Sequence, residues 1–172
     1  MRRNFLRLML CGVSGLALAS CGAGTSDPRF RSYSGPPVTR IDVHKSQRLM
    51  LLYSGNRAIK SYNFGLGFAP AGNKEYEGDG KTPEGLYYID RRNPNSRYHL
   101  SLGISYPNEA DKIRAMSQGL QVGSDIFIHG QGPEGRVATR RDWTVGCIAV
   151  TDREVEDIYA MVTDGTPIMI YP

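Results

Sequence analysis

The chain has few of the residues that build metal and nucleotide sites. Of its 172 residues, three are cysteine, three histidine and one tryptophan. His44, His99 and His129 lie in separate segments, and none pairs with a cysteine at the close spacing of a zinc site. No glycine-rich loop carries a lysine from a strand into a helix, so nucleotide binding is not expected, nor any metal or cofactor. No apolar run reaches the roughly 20 residues that cross a bilayer as a helix. Strong charge is missing as well. The formal net charge is +4, but Arg2, Arg3 and Arg7 stand in a stretch from Met1 to Ser20 that holds no acidic residue. Without that stretch the chain is close to neutral, and nothing in it argues for nucleic acid.

The first twenty residues read as an address. Three arginines precede a short apolar run from Leu8 to Leu18, and Leu18-Ala19-Ser20-Cys21 follows at once. That is the layout of a signal peptide over 1–20. The tetrapeptide also resembles the bacterial lipobox, which implies that Cys21 is lipidated and anchors the mature chain to a membrane. Arg2-Arg3-Asn4-Phe5-Leu6 resembles a twin-arginine signal, and an ordinary secretory signal stays open beside it. Either route leads to a periplasmic, membrane-anchored lipoprotein, with the inner and outer membrane both open. From Cys21 to Pro37 the composition is rich in Gly, Pro and Ser with no apolar period, so a flexible tether over 21–37 is expected. One domain should then occupy 38–172.

Within that domain the hydrophobic period is that of strands. VTRIDVH, RLMLLYS from Arg48 and RAIKSYNFGLG from Arg57 are joined by short turns, and Ser54-Gly55-Asn56 is a hairpin signal. Further strands are expected at LYYID from Leu86, YHLSLGIS from Tyr98, DIFIHG from Asp125 and PIMIYP at the end. Two short helices are expected. One runs from Glu109 to Gln118 behind an Asn108 cap, with Ile113 and Met116 on one face; the other follows the capping box Thr151-Asp152-Arg153-Glu154 and buries Val155, Ile158, Tyr159 and Val162. The fold class is therefore mostly β, a sandwich-like or barrel-like sheet with two short helices.

Cysteine usage raises the functional question. Cys11 lies in the signal and Cys21 at the lipid site, leaving Cys147 as the one thiol of the domain. An unpaired thiol outside the reducing cytoplasm has two readings: a small buried hydrophobe, or a nucleophile. His129 ends an apolar strand and supplies a base for the second reading. Gly146, before Cys147, leaves room for a substrate and for backbone amides facing an oxyanion. The residues alone leave both readings open.

Three motifs in order narrow them. Thr82-Pro83-Glu84-Gly85, His129-Gly130 and Thr144-Val145-Gly146-Cys147 together resemble the L,D-transpeptidase catalytic domain family, YkuD, across Val38 to Pro172. DWTVGCIAVT, SLGISYPN and GDGKTPEG make the resemblance greatest to the YafK-type branch. Two positions depart from the usual family pattern: Val145 stands where a histidine is common, and Ala149 where an arginine is common.

The resemblance implies an enzyme, an L,D-transpeptidase-like cysteine transferase that needs no cofactor. Cys147 would attack a peptidoglycan stem peptide to form a thioester, with His129 as base and the Gly130 carbonyl orienting it. The amides of Gly146 and Cys147 would form the oxyanion hole. Tyr106, Arg136, Arg140, Arg141, Trp143 and Thr144 are candidates for substrate contact. Against each stands a plainer role: surface charge for the arginines, packing under the motif for Trp143, and loop fixing for Thr144. Partners would be peptidoglycan stem peptides, a peptidoglycan-linked lipoprotein and, through Cys21, a membrane. Transfer to an amine and hydrolysis by water, as an amidase or carboxypeptidase, remain open. So does a non-catalytic peptidoglycan-binding module.

Overall fold

The computed structural model describes residues 27–172. The expected signal peptide over 1–20, the lipid site Cys21 and the start of the tether lie outside the described residues.

Eight strands and three helices follow in the order β1 (Arg40–His44), β2 (Leu49–Ser54), β3 (Arg57–Asn63), β4 (Gly85–Asn93), β5 (Ser101–Ile104), α1 (Glu109–Ser117), β6 (Phe127–His129), α2 (Gly132–Val137), β7 (Ile148–Ala149), α3 (Asp152–Met161) and β8 (Pro167–Tyr171). The strands form one curled sheet in the order β3-β2-β1-β8-β4-β5-β6-β7. Most neighbours are antiparallel, but β8 runs parallel to β1 and β7 parallel to β6. The last strand therefore enters the middle of the sheet, with Ile168 and Ile170 buried between β1 and β4.

β4 is the pivot. Its first half pairs with β8 and its second with β5, and its register with β5 shifts between Ile89 and Arg91. An irregularity of this kind bends a strand and increases its twist. The core lies inside the curl, where Ile41, Leu52, Ile89, Leu102, Ile128 and Ile148 are fully buried. Helix α3 covers it with Val155, Ile158 and Tyr159, and its Thr151–Glu154 capping box forms as expected.

One expectation needs correction, and two placements could not be read from the sequence. A third helix, α2, exists where none was expected, because Gly132, Pro133 and Gly135 mask six residues of helix behind turn formers. Helix α1 turns Ile113 and Met116 outward, 60% and 75% exposed, and buries Asp111 and Ala115 instead. The reason is polar: Asp111 receives the Tyr87 hydroxyl at 2.9 Å, the Asn108 amide at 3.0 Å and Arg114 at 3.1 Å. Those bonds offset the cost of burying a carboxylate.

Part of the stretch before the domain makes contacts with it. Residues 27–31 dock on the domain, where Arg29 donates to the carbonyls of Pro94 and His99, and Arg31 pairs with Glu156 and Asp157. The Phe30 ring lies 6.0 Å from that of Tyr159 on α3.

Candidate active site

The loop carrying Cys147 is an arch pinned at both feet by one segment. Phe64–Phe68 leaves β3 and passes alongside it. Gly65 exchanges two backbone hydrogen bonds with Ala149, at 2.8 and 2.9 Å. Thr144 N–H donates to the Leu66 carbonyl at 3.1 Å and its carbonyl accepts from Phe68 at 2.9 Å. Val145–Ile148 arch between these anchors. The fit requires glycine at Gly67, since a Cβ there would lie 2.7 Å from the Gly146 nitrogen and against the Gly80 carbonyl. Gly146 itself has φ 131°, and a Cβ on it would lie 2.6 Å from the Lys81 carbonyl.

Side chains lock the arch from beneath. Thr82, fully buried, donates its hydroxyl to the Gly146 carbonyl at 2.7 Å. Thr144 donates to the Cys147 carbonyl at 2.8 Å and accepts the Gly146 N–H at 3.2 Å. Asp142 receives Arg48 at 2.7 Å and the Leu66 amide at 2.9 Å. Burial works to raise its carboxyl, yet Arg48 and the Leu66 amide hold it below the ordinary value. Thr82 and Asp79, within the GDGKTPEG stretch, thus act as scaffolding. Asp79 pairs with buried Lys74 at 2.8 Å and accepts three backbone amides, which turn that loop under the arch.

Cys147 and His129 reach this place from different directions. The parallel pairing of β6 with β7 sets His129 opposite Ala149, two residues past the cysteine. Both side chains line one cleft of about 290 Å³, together with Tyr98, Arg97, Asp125 and Phe127. His129 is 2% exposed, and its Nδ1 lies 2.6 Å from the Gly130 carbonyl. A carbonyl only accepts, so Nδ1 carries the proton and Nε2 is the basic nitrogen. The ring stacks on Tyr98 at 4.5 Å between centroids and meets Trp143 edge-on at 5.6 Å.

Burial favours the neutral form of both partners. Burial lowers the imidazole below its ordinary value, against a smaller upward pull from the Gly130 carbonyl. Burial likewise raises the Cys147 thiol, with a Phe127 backbone bond opposing it and Asp125 adding to it. The thiol donates to the Asp125 carbonyl at 3.5 Å. Asp125 adopts φ 60°, in the left-handed region that aspartate enters more readily than most non-glycine residues. A second hollow of about 250 Å³, bounded by Lys74, Glu77 and Val145, opens on the other side of Cys147.

Several of the expected residues lie outside the cysteine's cleft. Tyr106 is 4% exposed and donates to the Val122 carbonyl at 2.8 Å beside Tyr87, so it is core and not groove. Thr144 is buried under the arch, and its hydroxyl also occupies the Gly146 amide, so of the two expected oxyanion donors only the Cys147 amide has no such partner among the described residues. Arg136 is tied to Asp152 on α3. Arg140 and Arg141 line a separate cleft behind Trp143. Conversely, Arg97, Tyr98 and Asp125 belong to the cysteine's cleft without any local signal in the sequence. Only the β5–β6 register, which sets Ser101 opposite His129, carries the 96–98 segment over the imidazole.

A curled, mostly β sheet with a cysteine and a histidine in one cleft over its terminal strands defines the class. The chain belongs to the L,D-transpeptidase catalytic domain family, YkuD, whose family model matches residues 38–170. It is similar to YafK of Escherichia coli (strain K12), assigned by name to the L,D-transpeptidases, at 29% identity over 151 residues, covering 80% of this chain and 55% of YafK. Among solved structures it is similar to the helical cell shape determining protein Pgp2 from Campylobacter jejuni, at 27% identity and TM-score 0.63, covering 80% of this chain and 49% of Pgp2. Bd1075 of Bdellovibrio bacteriovorus is similar at 25% identity and TM-score 0.57, covering 78% of this chain and 47% of its own. The chain thus spans about half the length of these relatives.

Proposed function

We propose that the protein is an exported, lipid-anchored cysteine acyltransferase acting on peptidoglycan stem peptides. The observation that carries the reading is the shared cleft of Cys147 and His129, with the imidazole held in the tautomer that leaves Nε2 free to accept a proton. As the sulfur attacks the stem carbonyl, its proton passes to His129. The tetrahedral oxyanion meets the Cys147 amide. Collapse breaks the C–N bond, the leaving amine takes the proton from His129, and a thioester remains. An incoming amine, deprotonated by the same imidazole, yields a new crosslink; water yields a shortened stem or a released peptide or lipoprotein.

Family membership and the export-like N-terminus support peptidoglycan as the substrate. Hydrolysis is kept as a second reading because the cleft has a second open side, beyond Val145, through which either acceptor has access to the sulfur.

Incubating sacculi with the full chain and analysing their digests by mass spectrometry tests the reading. New crosslinks indicate transfer; shortened stems or released peptides indicate hydrolysis. Retention of either activity by Cys147→Ala removes the thioester mechanism. For the anchor, Cys21→Ser is expected to leave the membrane fraction, and a wild-type chain without a lipid adduct would remove that part of the proposal.

A further inference from the structure

Behind Trp143, on the side away from Cys147, lies a second cleft of about 320 Å³ that the proposed chemistry does not use. Arg140 and Arg141 line it, with Asn63, Gln131 and Glu154. Its walls are held in place. Arg141 Nε donates to the Phe64 carbonyl at 3.1 Å, and Gly65 lies so close to the Arg141 carbonyl that no side chain fits there. Gly135 of α2 packs directly on Trp143, where a Cβ would lie 2.7 Å from the indole.

The charge inside is unbalanced. Among the described residues neither Arg140 nor Arg141 is ion-paired, and the adjacent Asp142 is bound to Arg48 instead. The one carboxylate in the lining, Glu154, accepts the Thr151 amide and hydroxyl at 2.8 and 2.7 Å. Two guanidinium groups with two side-chain amides beside them favour a planar anion. The indole lining this cleft also meets the His129 ring edge-on, at 5.6 Å between centroids, which links the cleft to the site.

We propose that this cleft is a carboxylate subsite, taking a free carboxylate of an anionic peptide and so seating the substrate around Trp143 from the reactive cysteine. The inference rests on the peptidoglycan reading, whose stem peptides carry such carboxylates.

Trp143 is the only tryptophan, so its emission reports occupancy directly. The full chain carrying Cys147→Ala is titrated with a diaminopimelate-containing stem tetrapeptide and with its carboxyl-amidated counterpart. The carboxylate peptide is expected to change the emission saturably, and amidation to weaken it. Arg140→Gln, which disturbs no hydrogen bond among the described residues, is expected to weaken binding about tenfold, and Arg140→Gln with Arg141→Gln about a hundredfold. Unchanged affinity in a double variant that unfolds at the wild-type temperature overturns the subsite, as does the absence of saturable binding. The two readings fail separately. Turnover of sacculi that is indifferent to both arginines sinks the subsite alone; arginine-dependent binding without acylation of Cys147 sinks the acyl-transfer reading alone.

Discussion

Replacing Thr82 by valine keeps the shape of a fully buried side chain and removes one hydroxyl. The structure says what is lost: the 2.7 Å hydrogen bond to the Gly146 carbonyl, directly before the proposed nucleophile. The carbonyl keeps its burial and loses its donor, which costs about 1–3 kcal/mol. Taking about 2 kcal/mol, a domain of this size should melt roughly 4–8 °C lower. The loss also frees one of the restraints on the arch, so alkylation of Cys147 by iodoacetamide should change by more than stability alone explains.

A control hydroxyl outside the site separates the two effects. Thr166 is also buried and donates to a carbonyl, that of Thr163, at 2.7 Å, but it sits between α3 and β8 away from the cleft. Thr166→Val should lower the melting temperature by less, because the exposed Thr163 carbonyl keeps the Thr166 amide at 3.2 Å, and should leave the alkylation rate of the folded protein unchanged. Calorimetry and timed alkylation followed by mass spectrometry measure both. If Thr82→Val alters neither quantity, or alters both just as Thr166→Val does, the hydroxyl does not position the nucleophile.

Two further outcomes follow from the neutral pair. Because burial raises the thiol above its ordinary value of 9.0 and lowers His129 below 6.5, no thiolate–imidazolium pair should exist near neutrality. The rate of Cys147 alkylation should therefore rise with pH, with its half-point above the ordinary thiol range; a reactive plateau between pH 5 and 7 would refute the neutral pair. His129→Gln, which removes the base while keeping a polar side chain, should slow acylation by stem peptide about 10² to 10⁴-fold. Single-turnover measurement of the acyl adduct checks this, and an unchanged rate would take His129 out of the mechanism.

What was legible in the sequence came from local rules. Alternating and continuous apolar runs marked seven of the strands, and the caps at Asn108 and Thr151 marked two helices, because periodicity and capping are encoded within a few residues. Helix α2 was hidden since its glycines and proline read as a turn, and which face of α1 is buried was not legible because a hydrogen-bonded carboxylate outweighed two apolar side chains for it.

For the candidate site the same division holds. Cys147, His129 and the glycine before the cysteine stand out in the sequence, since few residue types perform such chemistry and each sits in a short recognisable motif. Position was another matter. Whether an arginine meets the cleft depends on which strands pair, and that is set by contacts between residues dozens of positions apart. Pairing of β5 with β6 carried Arg97 and Tyr98 to the cysteine, while the arch held by Phe64–Phe68 sent Arg140 and Arg141 behind Trp143. By itself the sequence determined the mostly β class and the candidate residue types for the chemistry. The tertiary structure alone decided which side chains share the cleft, because long-range strand pairing and close backbone packing are properties of the whole sheet.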